Sequence, residues 1–123
     1  MKQWLCIVGA ATALALGPCG AAMAGPFEDG QAAYDRGDYS QALQLWRAAA
    51  ETGDARSEQM IGLSYELGRG VPRDDAMAAA WYRRAANQGL AEAEANLGAL
   101  YASGRGVPEN YAVAIMWWRK AAS

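Results

Sequence analysis

The groups in this chain that could do chemistry are few, and one type is missing. Histidine, the side chain whose charge changes near neutral pH, does not occur. The serine hydroxyls are Ser40, Ser57, Ser64, Ser103 and Ser123, and none stands in a G-x-S-x-G turn. Glu92 and Glu94 are two residues apart, so on a helix they point to different sides. Asp74 and Asp75 sit where a helix should begin, and capping of its free amides and the helix dipole explain them. No set of acid, base and nucleophile emerges. Catalytic, cofactor-binding and metal-ligating residues are therefore assigned to none of these positions.

One basic, glycine-rich stretch remains. "YELGRGVP", Tyr65 to Pro72, returns 36 residues later as "YASGRGVP", Tyr101 to Pro108. A phosphate loop needs an ordered cradle of amides with a lysine and a hydroxyl at set spacing, and neither accompanies this motif. The stretch is then either a site used twice or a joint used twice. The elements around it decide which.

The first 24 residues stand apart. One lysine, Lys2, precedes an apolar run from Trp4 to Leu16, and Ala22-Met23-Ala24 gives a small-x-small site. This is the pattern of a secretory signal peptide cut after Ala24. The run is shorter than the roughly 20 residues that span a bilayer, so no stable membrane span is expected after cleavage. Cleavage removes both cysteines, Cys6 and Cys19, and leaves 99 of the 123 residues with 10 basic against 13 acidic groups. No disulfide and no Cys or His zinc ligand would remain. A mild negative charge without a basic block argues against a nucleic-acid partner. The expected destination is outside the cytoplasm, the periplasm first, with secretion as the alternative.

Shifted by 36, the remaining chain overlays itself. Gly62 falls on Gly98, Tyr65 on Tyr101, Gly68 on Gly104, Gly70 on Gly106, Pro72 on Pro108 and Trp81 on Trp117. In the other direction Asp38 matches Asp74, Ala42 matches Ala78, Trp46 matches Tyr82 and Arg47 matches Arg83. Three copies result, over residues 25–53, 54–89 and 90–123. The first passes directly from Gly37 to Asp38, whereas the others insert Arg69 to Arg73 and Arg105 to Glu109. An optional insertion between elements reads as a joint.

The flanking elements read as helices. Ala42, Leu45, Trp46, Ala49 and Ala50 recur at spacings of three and four, as do Ala78, Trp81, Tyr82, Ala85 and Ala86. Ala114, Trp117, Trp118, Ala121 and Ala122 repeat the pattern. Asp38, Asp74 and Asn110 stand at their starts as caps. Partner helices are expected from Phe27 to Arg36, Ala55 to Leu67 and Ala91 to Ser103, each closed by a glycine. No alternation of period two appears.

"AEANLGALYASGRGVPENYAVAIMWWRKAA" resembles a Sel1-like repeat, a relative of the tetratricopeptide repeat, and the second copy matches through Ile61-Gly62, Tyr65, Asp74, Trp81-Tyr82 and Ala85-Ala86. The first copy, without the insertion, resembles the tetratricopeptide parent. Ser57 departs from the usual alanine, and Asp75 stands where Tyr39 and Tyr111 stand. The resemblance implies an all-α solenoid of about three stacked αα-hairpins, with Gly62 and Gly98 at close helix approaches. A single hairpin cannot bury its own apolar face, so stacking is also what packing demands.

Such proteins mostly act as adaptors that hold a protein or peptide on the concave surface of their first helices. The resemblance thus offers Gln59, Leu63 and Glu66 in the second copy, and Asn96, Ala99 and Ser103 in the third, as contact positions. No capping helix follows Trp117 and Trp118 in the sequence given, so either both rings turn inward onto the preceding hairpin or part of that end is a second candidate surface, with Trp118 as its contact position. The favoured function is an exported, non-catalytic interaction module in an envelope complex. Two alternatives differ in class: a β-lactam-binding or cell-wall hydrolase, as in cysteine-rich Sel1-like proteins whose paired cysteines are absent here, and a self-associating structural subunit.

Overall fold

The computed structural model describes residues 25–123, so the expected signal peptide, residues 1–24, lies outside the described residues. The described residues form six α-helices and no strand: α1 (Pro26–Asp35), α2 (Tyr39–Glu51), α3 (Ala55–Leu67), α4 (Asp75–Asn87), α5 (Ala91–Ser103) and α6 (Tyr111–Ala122). The expected helix limits hold to within a residue. The chain is an all-α solenoid in which α1–α2, α3–α4 and α5–α6 are hairpins, and α2 packs on α3 as α4 packs on α5.

Local chemistry sets the boundaries. The Asp38, Asp74 and Asn110 side chains accept from the amides of Gln41, Met77 and Val113, three residues on, at 3.4, 3.1 and 3.1 Å. Asp54 caps α3 by accepting from the Arg56 amide, two residues on, at 3.3 Å, and also accepts from the Ser57 hydroxyl at 2.8 Å, which satisfies a polar group that is wholly buried. Gly68 and Gly104 close α3 and α5 in the left-handed conformation.

The cores lie between hairpins as much as within them. One gathers Ala33, Ala42, Leu43, Trp46, Ala50 and Ile61, with Val71 and Trp81 packed against it. The other gathers Ala78, Ala79, Tyr82, Leu97, Leu100 and Trp117 with their neighbours. The apolar period expected for the second helices omitted Leu43 and Ala79, which are buried, and included Leu45, which is only half-buried. The reason is position: Leu43 and Ala79 face the next hairpin, so burial there is set by stacking rather than by the hairpin itself.

Each hairpin is pinned by an aromatic ring seated on a glycine. A Cβ added at Gly30 would lie 2.5 Å from the Trp46 ring, one at Gly62 2.6 Å from Tyr82, and one at Gly98 2.6 Å from Trp118. Any side chain there would expel the ring. The Trp46 indole N–H donates to the Phe27 carbonyl at 3.2 Å, and Trp118 repeats the bond to Ala95 at 3.2 Å.

Candidate functional site

The two internal joins use one set of contacts. At the first, Arg47 of α2 donates to the Tyr65 hydroxyl of α3 at 3.3 Å. Arg69, just past α3, reaches back to the Tyr34 hydroxyl and lies 5.4 Å from the centre of the Tyr39 ring. At the second join Arg83 donates to the Tyr101 hydroxyl. Arg105 reaches back to Glu66 at 2.7 Å and lies 3.9 Å from Asp75. Asp75 and Glu66 thus take the places of Tyr39 and Tyr34, and the departure at Asp75 exchanges a ring for an ion pair with the same arginine position.

The Glu66 carboxylate also accepts from the Tyr82 hydroxyl at 2.6 Å. Burial, and then this bond to a carboxylate, hold the Tyr82 phenol far above its ordinary range. The bond to Glu66 likewise raises the Arg105 guanidinium, which therefore stays charged.

The glycine between Arg and Val completes the join. A Cβ on Gly70 (φ 83°) would lie 2.9 Å from Leu43 and 3.0 Å from the Tyr39 carbonyl oxygen. On Gly106 (φ 74°) it would lie 2.2 Å from the Asp75 carbonyl oxygen. Val71 packs against the first core and Val107 against the second. The GRGVP stretch is therefore more than a turn between two helices. It clamps its hairpin onto the hairpin before it. The first hairpin lacks the insertion, and among the described residues it has no predecessor to clamp.

Among the described residues, the third instance of this surface is uncovered. Trp46 and Tyr82 are wholly buried, whereas Trp118, in their register and anchored like Trp46, is 42% exposed. Ile115, in the register of the buried Leu43 and Ala79, is 44% exposed. Tyr111, counterpart of Tyr39, is 62% exposed, and Met116 beside them is also exposed. Arg119, counterpart of Arg47 and Arg83, is exposed and makes no side-chain hydrogen bond or ion pair among the described residues. Trp117, by contrast, turns inward onto the second core.

The expected concave-surface positions do not form one set. Gln59 is buried, and its side-chain oxygen has no partner among the described residues. Glu66 is committed to Tyr82 and Arg105. Leu63 and Asn96 are half-buried, Ala99 is exposed, and the exposed Ser103 donates its hydroxyl to the Ala99 carbonyl at 2.9 Å. Trp118 instead stands among Tyr111, Ile115, Met116 and Arg119, all on α6. Those four were not singled out from the sequence. The signal was available in their register with Tyr39, Leu43, Gln44 and Arg47.

Two buried acids separate the hairpins further. Glu58 pairs with the Arg84 guanidinium at 3.2 Å and accepts a hydrogen bond from the Gln88 side-chain amide at 2.7 Å. Glu94 is as buried but has no ion pair among the described residues, because Lys120, in the register of Arg84, lies over the Trp117 ring at 4.9 Å. No group of three or more metal-ligating side chains occurs among the described residues, and no helix there is long and apolar enough to cross a membrane.

A stack of αα-hairpins gripped by a repeated Gly-Arg-Gly joint defines a class of helical repeat protein. Residues 21–54, 55–90 and 91–123 each match the Sel1 repeat, and the chain belongs to that family. It is similar to a Sel1 repeat protein from Oxalobacter formigenes, at 34% identity and a TM-score of 0.75 over 78% of this chain and 40% of that one. It is also similar to c5321 of uropathogenic Escherichia coli, a protective antigen with an SLR fold, at 38% identity and a TM-score of 0.75 over 85% of this chain and 24% of that one. The chain thus spans less than half the length of either. No curated protein matches it. Sel1 repeats commonly serve as protein-interaction modules.

Proposed function

We propose that this chain is an exported, non-catalytic interaction module that takes a partner protein on the outer face of α6. The observation that carries the reading is the contrast between Trp118 and Trp46. Both rings sit on a glycine with the same carbonyl bond, yet one is 42% exposed and the other 0%. With Tyr111, Ile115 and Met116 it makes a patch of large apolar side chains on a single helix, the kind of surface that marks an interaction site. The concave surface offers less, since Gln59 and Glu66 are already buried or bonded.

Absence of catalysis is part of the same proposal. Ser57 donates to the Asp54 carboxylate but is wholly buried, where no substrate reaches it, and the hydroxyls of Ser64, Ser103 and Ser123 donate to nearby backbone carbonyls with no carboxylate beside them among the described residues. Export rests on the pattern of residues 1–24.

The test is crosslinked affinity capture from an envelope extract, with a tag placed between Ala24 and Gly25 and the full chain expressed. A dominant partner lost with Trp118→Asp and kept with Ala99→Arg supports the reading. Loss only with Ala99→Arg moves the site to the concave surface. The same sample reports export: a mature chain still beginning at Met1 would sink that part. Labelling by a fluorescent penicillin would revive the hydrolase alternative.

A further inference from the structure

The internal joins specify what the α6 face accepts. Each join presents the same items on the second helix: an aromatic or acidic residue at its start (Tyr39, Asp75), a buried apolar residue (Leu43, Ala79), a ring on glycine (Trp46, Tyr82) and an arginine (Arg47, Arg83). The incoming hairpin answers in one sequence order. Ile61 or Leu97 enters the apolar face, the Tyr65 or Tyr101 hydroxyl receives the arginine, and Arg69 or Arg105 folds back over the helix start. Gly70 or Gly106 presses on the first turn of that helix. Written as sequence, the incoming element is Ile/Leu-Gly-x-x-Tyr-x-x-Gly-Arg-Gly.

On α6 every receiving position carries its residue, and none is occupied among the described residues. Tyr111, Ile115, Trp118 and Arg119 stand in the register of Tyr39, Leu43, Trp46 and Arg47. We infer that the partner is a helical hairpin of this same repeat class on another protein, one whose Ile/Leu-Gly-x-x-Tyr-x-x-Gly-Arg-Gly segment is uncovered. Its tyrosine hydroxyl meets Arg119, its arginine stacks on Tyr111, and its Ile or Leu enters beside Ile115 and Trp118. The inference rests on the interaction reading above and names the partner that reading leaves open.

A second copy of this chain is a poor occupant. Its Arg69 and Arg105 are already engaged within their own stack. Its first hairpin carries no Gly-Arg-Gly joint and presents Asp29, one residue before Gly30, where Ile61 and Leu97 precede their glycines. Docking it head to tail would bury a carboxylate against Ile115 and Trp118, which is costly without a partner charge.

The experiment has two arms. In the first, a copy of residues 88–123 is appended after Ser123 of the full chain, with the copied Ile115 and Met116 positions changed to Gln so that the new end is less apolar while the copied Trp118 still seats on its glycine. Amide exchange across 111–122 is expected to slow by about tenfold or more, since the covered helix no longer opens locally. Much of that protection should go when the copied Arg105 and Tyr101 are changed to Ala and Phe. Unchanged exchange with helicity intact overturns the proposed occupant and leaves the interaction reading standing.

In the second arm a photo-crosslinking aromatic residue replaces Tyr111 in the otherwise native chain. A crosslinked partner whose attached segment contains Tyr-x-x-Gly-Arg-Gly supports the inference. A partner attached through an unrelated segment, or through a second copy of this chain, overturns it while an interaction at α6 remains. No crosslinked protein above background overturns both the occupant and the interaction reading.

Discussion

The two ends of the described stack are built from the same register and finished in opposite ways. At the first hairpin, Asp29 takes the place of the buried Ile61 and Leu97, and Glu28 pairs with Arg56 at 3.5 Å in water. Arg56 in turn lies 4.1 Å from the centre of the Phe27 ring and covers it. The last hairpin keeps the inner pattern unchanged and leaves it exposed at Tyr111, Ile115 and Trp118. Helical stacks generally need polar outer faces for solubility. One end here meets that need and the other does not. Whether an end is finished therefore depends on each position's counterpart in the inner copies. Bulk composition would rate both as ordinary surface.

The largest expected effect contrasts the two tryptophans. Trp46→Ala removes a wholly buried ring and should cost about 3–5 kcal/mol in urea unfolding. Trp118→Ala removes a ring that is already partly wet and should cost only about 1–2 kcal/mol. Equal losses would mean that the α6 face is covered in solution, and the contrast between the ends would fail.

A second contrast concerns the joints. Gly37 has a positive φ of 85° with nothing within 4 Å of a Cβ, so Gly37→Ala should cost about 1–2 kcal/mol from backbone strain alone. Gly106→Ala adds a collision 2.2 Å from the Asp75 carbonyl oxygen and should cost roughly 2–4 kcal/mol while loosening the last hairpin. Hydrogen exchange would localise that loosening to α5 and α6. If the two substitutions cost the same, the joint is a turn and not a clamp.

Titration separates the middle hairpin from the first, whose seated ring has no ionisable group. Burial and the bond to Glu66 raise the Tyr82 phenol above its unfolded value, so the folded chain holds this proton when the unfolded chain releases it. The stabilisation is full below about pH 10 and is lost as pH rises beyond it. Unfolding free energy should therefore fall by up to about 1.4 kcal/mol per pH unit above that point on account of this one group. Tyr82→Phe should flatten the decline, and an unchanged slope would remove Tyr82 as its source.

Much of this was legible in the sequence, and the omissions have physical causes. The 36-residue shift located every hairpin, and the caps Asp38, Asp74 and Asn110 could be read because N-cap chemistry is local. Leu43 and Ala79 were missed because their burial depends on a neighbour 20 or so residues away in sequence, which helical period alone does not reveal. The optional presence of GRGVP marks it as a joint. That Gly106 presses on the Asp75 backbone is a contact between hairpins, and only the stacked structure supplies it. Trp118 was marked from its place near the end. Tyr111 and Arg119 were visible as repeats of Tyr39 and Arg47, but their meaning depends on what those residues hold in the inner joins.

The smallest expected effect on stability is at Asp29, and it probes the comparison most directly. Asp29 is half-buried, and no ion pair involves it among the described residues, so Asp29→Leu should change the unfolding free energy by no more than about 0.5 kcal/mol. Its consequence lies in association. The substitution gives the first hairpin the apolar residue that Ile61 and Leu97 carry in the inner copies, and so removes the buried carboxylate that opposes head-to-tail contact with α6 of another molecule. A contact between two different surfaces does not close on itself, so the product is an open series of oligomers rather than a dimer. Sedimentation of Asp29→Leu should show mass that grows with concentration, and Trp118→Asp in the same chain should restore the monomer. If the native chain already sediments as an open series, Asp29 is not the block. If Asp29→Leu stays monomeric, the missing Gly-Arg-Gly clamp of the first hairpin outweighs the carboxylate, and it is the arginine joint that decides what α6 accepts.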